Sequence, residues 1–133
     1  MVTFKELLSG NELSSVPINH QHNLEELLKR VNKLRSAYGK PMTVSSGYRS
    51  MQHHKDIYRS KGVPDNKIPM KSNHLYGRAC DFADPKGELQ AFITANIPLI
   101  EEIGLWFEAF SHTKGWVHCQ IIPPASGTRF FIP

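Results

Sequence analysis

Within Ser72-Asn73-His74-Leu75-Tyr76-Gly77-Arg78-Ala79-Cys80-Asp81, a histidine and an aspartate stand seven positions apart, and a second histidine follows downstream in Trp116-Val117-His118. Two imidazoles and one carboxylate are what a catalytic zinc asks of a protein, because they fill three tetrahedral positions and leave the fourth to water. If His74, Asp81 and His118 meet, they hold one Zn2+ and the chain is a metal-dependent hydrolase. Such an ion lowers the pKa of its water from about 15.7 toward about 7, and it polarises a scissile carbonyl.

That chemistry also needs a group to carry the proton. The C-terminal third reads as a hairpin, with residues 105–110 and 116–122 rich in aromatic and β-branched types and Ser111-His112-Thr113-Lys114-Gly115 as the turn. A five-residue loop puts Phe110 opposite Trp116. The same register puts Glu108 opposite His118 and Trp106 opposite Gln120. Directly opposed side chains lie about 4.5–5.5 Å apart at Cβ. Glu108 is therefore the candidate to take a proton from the water and pass it to a leaving amine. Its alternatives are a partner that orients His118 and a solvated strand residue.

The positioning elements follow from the rest of the chain. Residues 1–22 read as a short helical start and a polar turn, with Pro17 and Asn19-His20-Gln21-His22 marking loop. Asn23 caps a helix with Glu26 three residues on. Leu24, Leu27, Leu28, Val31 and Leu34 form its apolar stripe, and Gly39 ends it. A strand covers 42–46, a helix about 50–60, and a surface loop 62–73. Asp84-Pro85 opens a further helix, expected to run to about Asn96 before Pro98. Cys80 and Cys119 neighbour two proposed ligands, so on strands they point behind the site. If the strands pair antiparallel with Asp81 opposite His118, the cysteines also face each other, as a bridge or as two buried thiols. His20, His22, His53, His54 and His112 stand in polar contexts and are expected at the surface.

Composition sets limits on function. The chain has 133 residues, is 40% hydrophobic and carries a formal charge of +4. That length suits one domain with a real core. No apolar run is long enough to span a bilayer, and the first residues do not read as a secretory signal. The basic residues look scattered and match no nucleic-acid motif, so nucleic acid is not an expected partner. Two cysteines are too few for a disulfide scaffold.

Ser72-x-His74-x-x-Gly77-x-Ala79-x-Asp81, preceded by Ser45-Ser46-Gly47-Tyr48-Arg49-Ser50 and followed by Trp116-Val117-His118, resembles the zinc D-Ala-D-Ala peptidases. That family includes D-alanyl-D-alanine carboxypeptidases, vancomycin-resistance dipeptidases and phage endolysins that cut L-alanyl-D-glutamate bonds. Its fold is shared with the Hedgehog signalling domain. The match covers roughly residues 23–122. The resemblance implies that His74, Asp81 and His118 are the zinc ligands. It implies that Arg49 holds a substrate carbonyl or carboxylate in the cleft, a task suited to the guanidinium fork, and that Ser72 shapes the same pocket. Gly47 and Gly77 read as tight turns or close approaches rather than chemistry. Many relatives carry the catalytic acid in Glu-x-x-His or Asp-x-x-His, where this chain has Gly115. Another branch has a glutamate on the preceding strand, and Glu108-Ala109-Phe110 fits that arrangement with a longer turn.

The expectation is a single catalytic α+β domain over 1–133, an antiparallel sheet with helices mainly on one face and zinc on the other. It would act, as a monomer, on peptide bonds of peptidoglycan stem peptides. The phage lysis or virion-associated type fits the size, with synthesis in the host cytoplasm and action at the cell wall. The alternatives are a D-Ala-D-Ala carboxypeptidase or dipeptidase, and a non-catalytic zinc-containing binding domain of the same fold.

Overall fold

Leu24, Leu27, Val31 and Leu34 recur at helical spacing, and in the computed structural model, which describes residues 1–133, all four are fully buried along one helix. That helix, α2, spans Ile18–Tyr38 and starts earlier than an Asn23 cap predicts. Pro17 precedes it, where a missing N–H costs a helix nothing. Asn19, His20, Gln21 and His22, expected as loop, form its first turns. Asn23 does not cap; its side-chain amide donates to the Tyr76 carbonyl at 2.9 Å and ties α2 to the segment carrying His74. A short helix α1 (Phe4–Leu8) comes before it, closed by a Thr3–Glu6 capping box.

Five strands follow: β1 (Thr43–Ser46), β2 (Ala79–Ala83), β3 (Trp106–Glu108), β4 (Trp116–Gln120) and β5 (Phe130–Phe131). They form one sheet in the order β1-β2-β4-β3-β5. Every neighbouring pair is antiparallel except β3 and β5, which run parallel. The sheet is therefore mixed rather than purely antiparallel. The reason is local. β3 would otherwise be an open edge, and the chain's last segment covers it, with Phe107 N–H donating to Arg129 and Ala109 N–H to Phe131.

Alternation along the strands separates core from site. Cys80 and Phe82 of β2, Phe107 of β3, and Val117 and Cys119 of β4 are fully buried in one apolar cluster. Leu7 of α1, the α2 stripe, and residues of two later helices complete it. Asp81, Glu108 and His118 occupy the alternate positions. Helix α3 (Met51–Ser60), capped by Ser50, adds nothing to that cluster and stands beside the cleft instead.

The segment after β2 differs from expectation. Asp84 does cap a helix, accepting from Leu89 and Gln90 N–H at 3.0 and 2.9 Å, but from a distance. The helix, α4, spans Glu88–Ala95 and Pro85 lies outside it. α4 does end at Ala95, as expected before Pro98, but the proline itself is not left outside helical structure. It sits in the first turn of a further helix, α5 (Ile97–Ile103), whose Ile100 and Ile103 are buried. Proline is as well suited to opening a helix as to ending one, and here it opens one. In the hairpin, Trp106 does face Gln120. The pairing stops before Phe110, however, because Phe110–His112 turn into a 3-10 helix, so the expected Phe110–Trp116 pair does not form.

Candidate active site

The antiparallel register of β2 and β4 puts Asp81 opposite His118, and His118 Nδ1 lies 2.9 Å from Asp81 Oδ1. His74 arrives from a 3-10 turn, Asn73–Tyr76, just before β2. The Ser72 hydroxyl accepts from His74 N–H at 3.4 Å at the start of that turn, and Gly77, at φ 73°, ends it. His74 Nε2 lies 3.3 Å from the same Asp81 oxygen. One ligand atom from each residue lies within 4.8 Å of the others. No other three His, Cys, Asp or Glu side chains converge in this way.

The donor set fits a zinc ion in its protonation as well as its position. His74 Nδ1 lies 2.8 Å from the Gly47 carbonyl, which can only accept. Nδ1 therefore carries the ring proton, and the bare Nε2 faces Asp81. Backbone carbonyls commonly orient metal-binding imidazoles in this way. The Gly47 segment is itself held by the N-terminus. Tyr48 N–H donates to the Leu7 carbonyl at 2.8 Å, and Gly47 N–H to the Ser9 hydroxyl at 2.8 Å. A Cβ at position 47 would stand 2.2 Å from the Leu7 carbonyl oxygen. Gly47→Ala must push α1 away, which is expected to cost on the order of 3 kcal/mol. Chemical denaturation checks the value, and zinc affinity should fall with it.

Arg49, Tyr58, Lys61, Ser72, Glu108 and Trp116 line a cleft of about 240 Å³ that also exposes the three candidate ligands. The pairs Trp106–Gln120 and Phe107–Cys119 bring Glu108 alongside His118. Burial raises the Glu108 carboxyl above the ordinary glutamate range; His118 opposes that shift and Asp81 adds to it. Arg49 N–H donates to the His74 carbonyl at 3.1 Å, and its side-chain Nε is buried without a hydrogen-bond partner. All six candidate site residues are thus gathered at one cleft. Two larger hollows, of about 410 and 730 Å³, lie elsewhere and assemble no ligand set.

Electrostatics couple the aspartate to its histidines. Burial by itself would raise the Asp81 carboxyl, but in the metal-free protein the His118 and His74 rings, which donate to it when they carry a second proton, outweigh burial and hold the group below its ordinary value. Burial would likewise lower His118, yet Asp81 raises it above its usual 6.5. The pair's contribution to the metal-free fold follows from these directions. Asp81 contributes above its unfolded pKa of about 3.9 and loses that as pH falls through the folded value. His118 contributes fully below about 6.5 and loses that as pH rises through its folded value. Denaturation midpoints of metal-free protein should therefore be highest between about pH 4 and 6.5 and fall on both sides. Zinc affinity should instead rise with pH, because the ion competes with protons for its ligands.

Some features escape a reading by residue type. His54, expected at the surface, is 0% exposed, and its Nε2 meets the Pro69 carbonyl at 2.6 Å under the loop that follows α3. His20 is half-buried against Tyr48 and Tyr76, whereas His22, His53 and His112 are exposed. Cys80 and Cys119 face each other behind the site as two thiols, 3.6 Å apart and fully buried. Burial pushes the Cys80 thiol well up. Gln120 carries no signal by residue type alone, but its place two residues after His118 on β4 puts both on one face. Its Oε1 lies 2.8 Å from His118 Nε2.

A family model described as Peptidase M15 covers residues 1–120. No curated protein and no solved structure matches the chain.

Proposed function

Since the chain belongs to the Peptidase M15 family, we propose that its cleft is the active site of a zinc-dependent peptidase that hydrolyses stem peptides of bacterial peptidoglycan. The observation that carries this reading is the convergence of His74, Asp81 and His118 in the cleft that Glu108 and Arg49 also line. When bound, one zinc ion supplies a Lewis acid for the scissile carbonyl and makes water a nucleophile at neutral pH. Glu108 takes the proton of the attacking water at a carboxylate oxygen and returns it to the departing nitrogen. Arg49, which lines the cleft, holds a backbone carbonyl or a carboxylate of the peptide through its guanidinium. Ser72 shapes the cleft by fixing the turn that presents His74.

The charge distribution favours an anionic substrate. Residues 49–78 hold seven of the sixteen Lys and Arg but only two of the twelve Asp and Glu, so the whole positive excess lies on the stretch that flanks the cleft. Arg59 is engaged by Asp56 and Asp65, whereas Lys61 lines the cleft. Stem peptides carry free carboxylates, and an oppositely charged approach speeds encounter. No helix is long and apolar enough to cross a membrane. We assign the chain a role as a monomeric lysis or virion-associated peptidase of a phage, made in the host cytoplasm and acting at the wall.

Digestion of defined muropeptides with and without a chelator tests this. The expected products are stem-peptide fragments, formed only when zinc is present. Release of free D-alanine alone would assign a carboxypeptidase or dipeptidase. Zinc uptake without any cleavage would assign a binding domain.

A further inference from the structure

We infer that Gln120 is a positioning residue that fixes which nitrogen of His118 is free to bind the metal. The inference rests on the metallopeptidase reading of the cleft and goes beyond it. Gln120 is only 4% exposed, and both ends of its carboxamide are engaged. Its Nε2 donates to the Ile122 carbonyl at 2.8 Å. A carbonyl cannot face another oxygen in that way, so the amide is fixed with Oε1 at its other end. Oε1 lies 2.8 Å from His118 Nε2. An amide oxygen only accepts, so Nε2 must carry the ring proton. The neutral ring then has its lone pair on Nδ1, the atom 2.9 Å from Asp81 Oδ1.

The device is stiff because its backbone is. Gln120 is paired on one side with Ala79 of β2 and on the other with Trp106 of β3. The next residue, Ile121, donates its N–H to Arg78 at 3.0 Å. Gln120 therefore does for His118 what the Gly47 carbonyl does for His74. The two imidazoles are locked in opposite tautomers, Nδ1–H in His74 and Nε2–H in His118. Each turns its bare nitrogen to the same carboxylate.

The test compares wild type, Gln120→Leu and Gln120→Glu as zinc-loaded full chains. Zinc affinity is measured by chelator competition. Long-range proton–nitrogen spectra of labelled histidine locate the ring proton of His118. Thermal denaturation of the metal-free forms serves as the control for folding. Gln120→Leu should weaken zinc binding by about 10–100-fold, and Gln120→Glu, which keeps an oxygen acceptor, should restore most of it. The wild-type spectrum should show the proton on Nε2. Three results would overturn the inference: a proton on Nδ1, a Leu variant that binds zinc as wild type does, or Leu and Glu variants equally weakened. Wild-type protein that binds zinc but cleaves no muropeptide would refute the peptidase reading alone, with the spectrum still deciding Gln120. Wild-type protein that takes up no zinc would overturn both.

Discussion

Glu108→Gln is expected to retain zinc at the wild-type level and to lose about 10²–10⁴-fold in kcat, the range for removal of a general base. The substitution keeps the shape of the side chain and takes away only its ability to accept and return a proton. Glu108 is not one of the three converging ligands, so the metal should stay. Its position is fixed by β3, where Trp106 faces Gln120 and Phe107 faces Cys119, and by the parallel partner Phe131 on the other side. The acidic limb of the wild-type kcat/KM profile should report the titration of this carboxyl. In the variant that limb should vanish together with the activity. Steady-state kinetics and metal analysis on the same preparation check both halves. A variant that turns over at the native rate would remove Glu108 from the mechanism.

His74→Ala should bind essentially no zinc and show no activity above background. With His74 gone, two ligands remain, too few for either a structural or a catalytic tetrahedral site. The Gly47 carbonyl also loses its partner. Asp81, 8% exposed, keeps only one of its two imidazole neighbours. Leaving a buried charge less well paired is costly, so the metal-free variant should also unfold at a lower denaturant concentration. His118→Ala should match it in zinc loss. It should cost the metal-free fold more, because His118 lies closer to the carboxylate, at 2.9 against 3.3 Å. Equimolar zinc in either variant would count against the assigned ligand set.

The residues that converge at the candidate site are legible because strand alternation and side-chain type speak together. Asp81 and His118 could be paired from the assumption of antiparallel strands, and the facing Cys80 and Cys119 followed from the same register. The place of Glu108 beside His118 follows from the hairpin register, although the strands stop pairing before Phe110, beyond the pairs that set the alignment. Boundaries set by polar residues were less legible. Asn23 looks like a cap by type, but a long-range bond to Tyr76 claims its side chain. Pro98 carries no mark that distinguishes a stop from a start. The burial of His54 depends on the loop folded over it, and the parallel β5 on a tail that meets β3 only in three dimensions. Long-range contacts of this kind leave no local periodicity to read.

The bonds that Tyr48 and Gly47 N–H donate to the Leu7 carbonyl and the Ser9 hydroxyl tie the N-terminus to the candidate metal site, although it lies outside the cleft. Ser9 is the one non-glycine residue with positive φ, at 51°, and it sits where the chain must turn to clasp that loop. Fraying of the leading helix and misalignment of the first imidazole are accordingly a single event. Deleting residues 1–9 should slacken zinc uptake and, because Val2 and Leu7 leave the core, lower stability with it. A protease acting at this latch would silence the enzyme from behind.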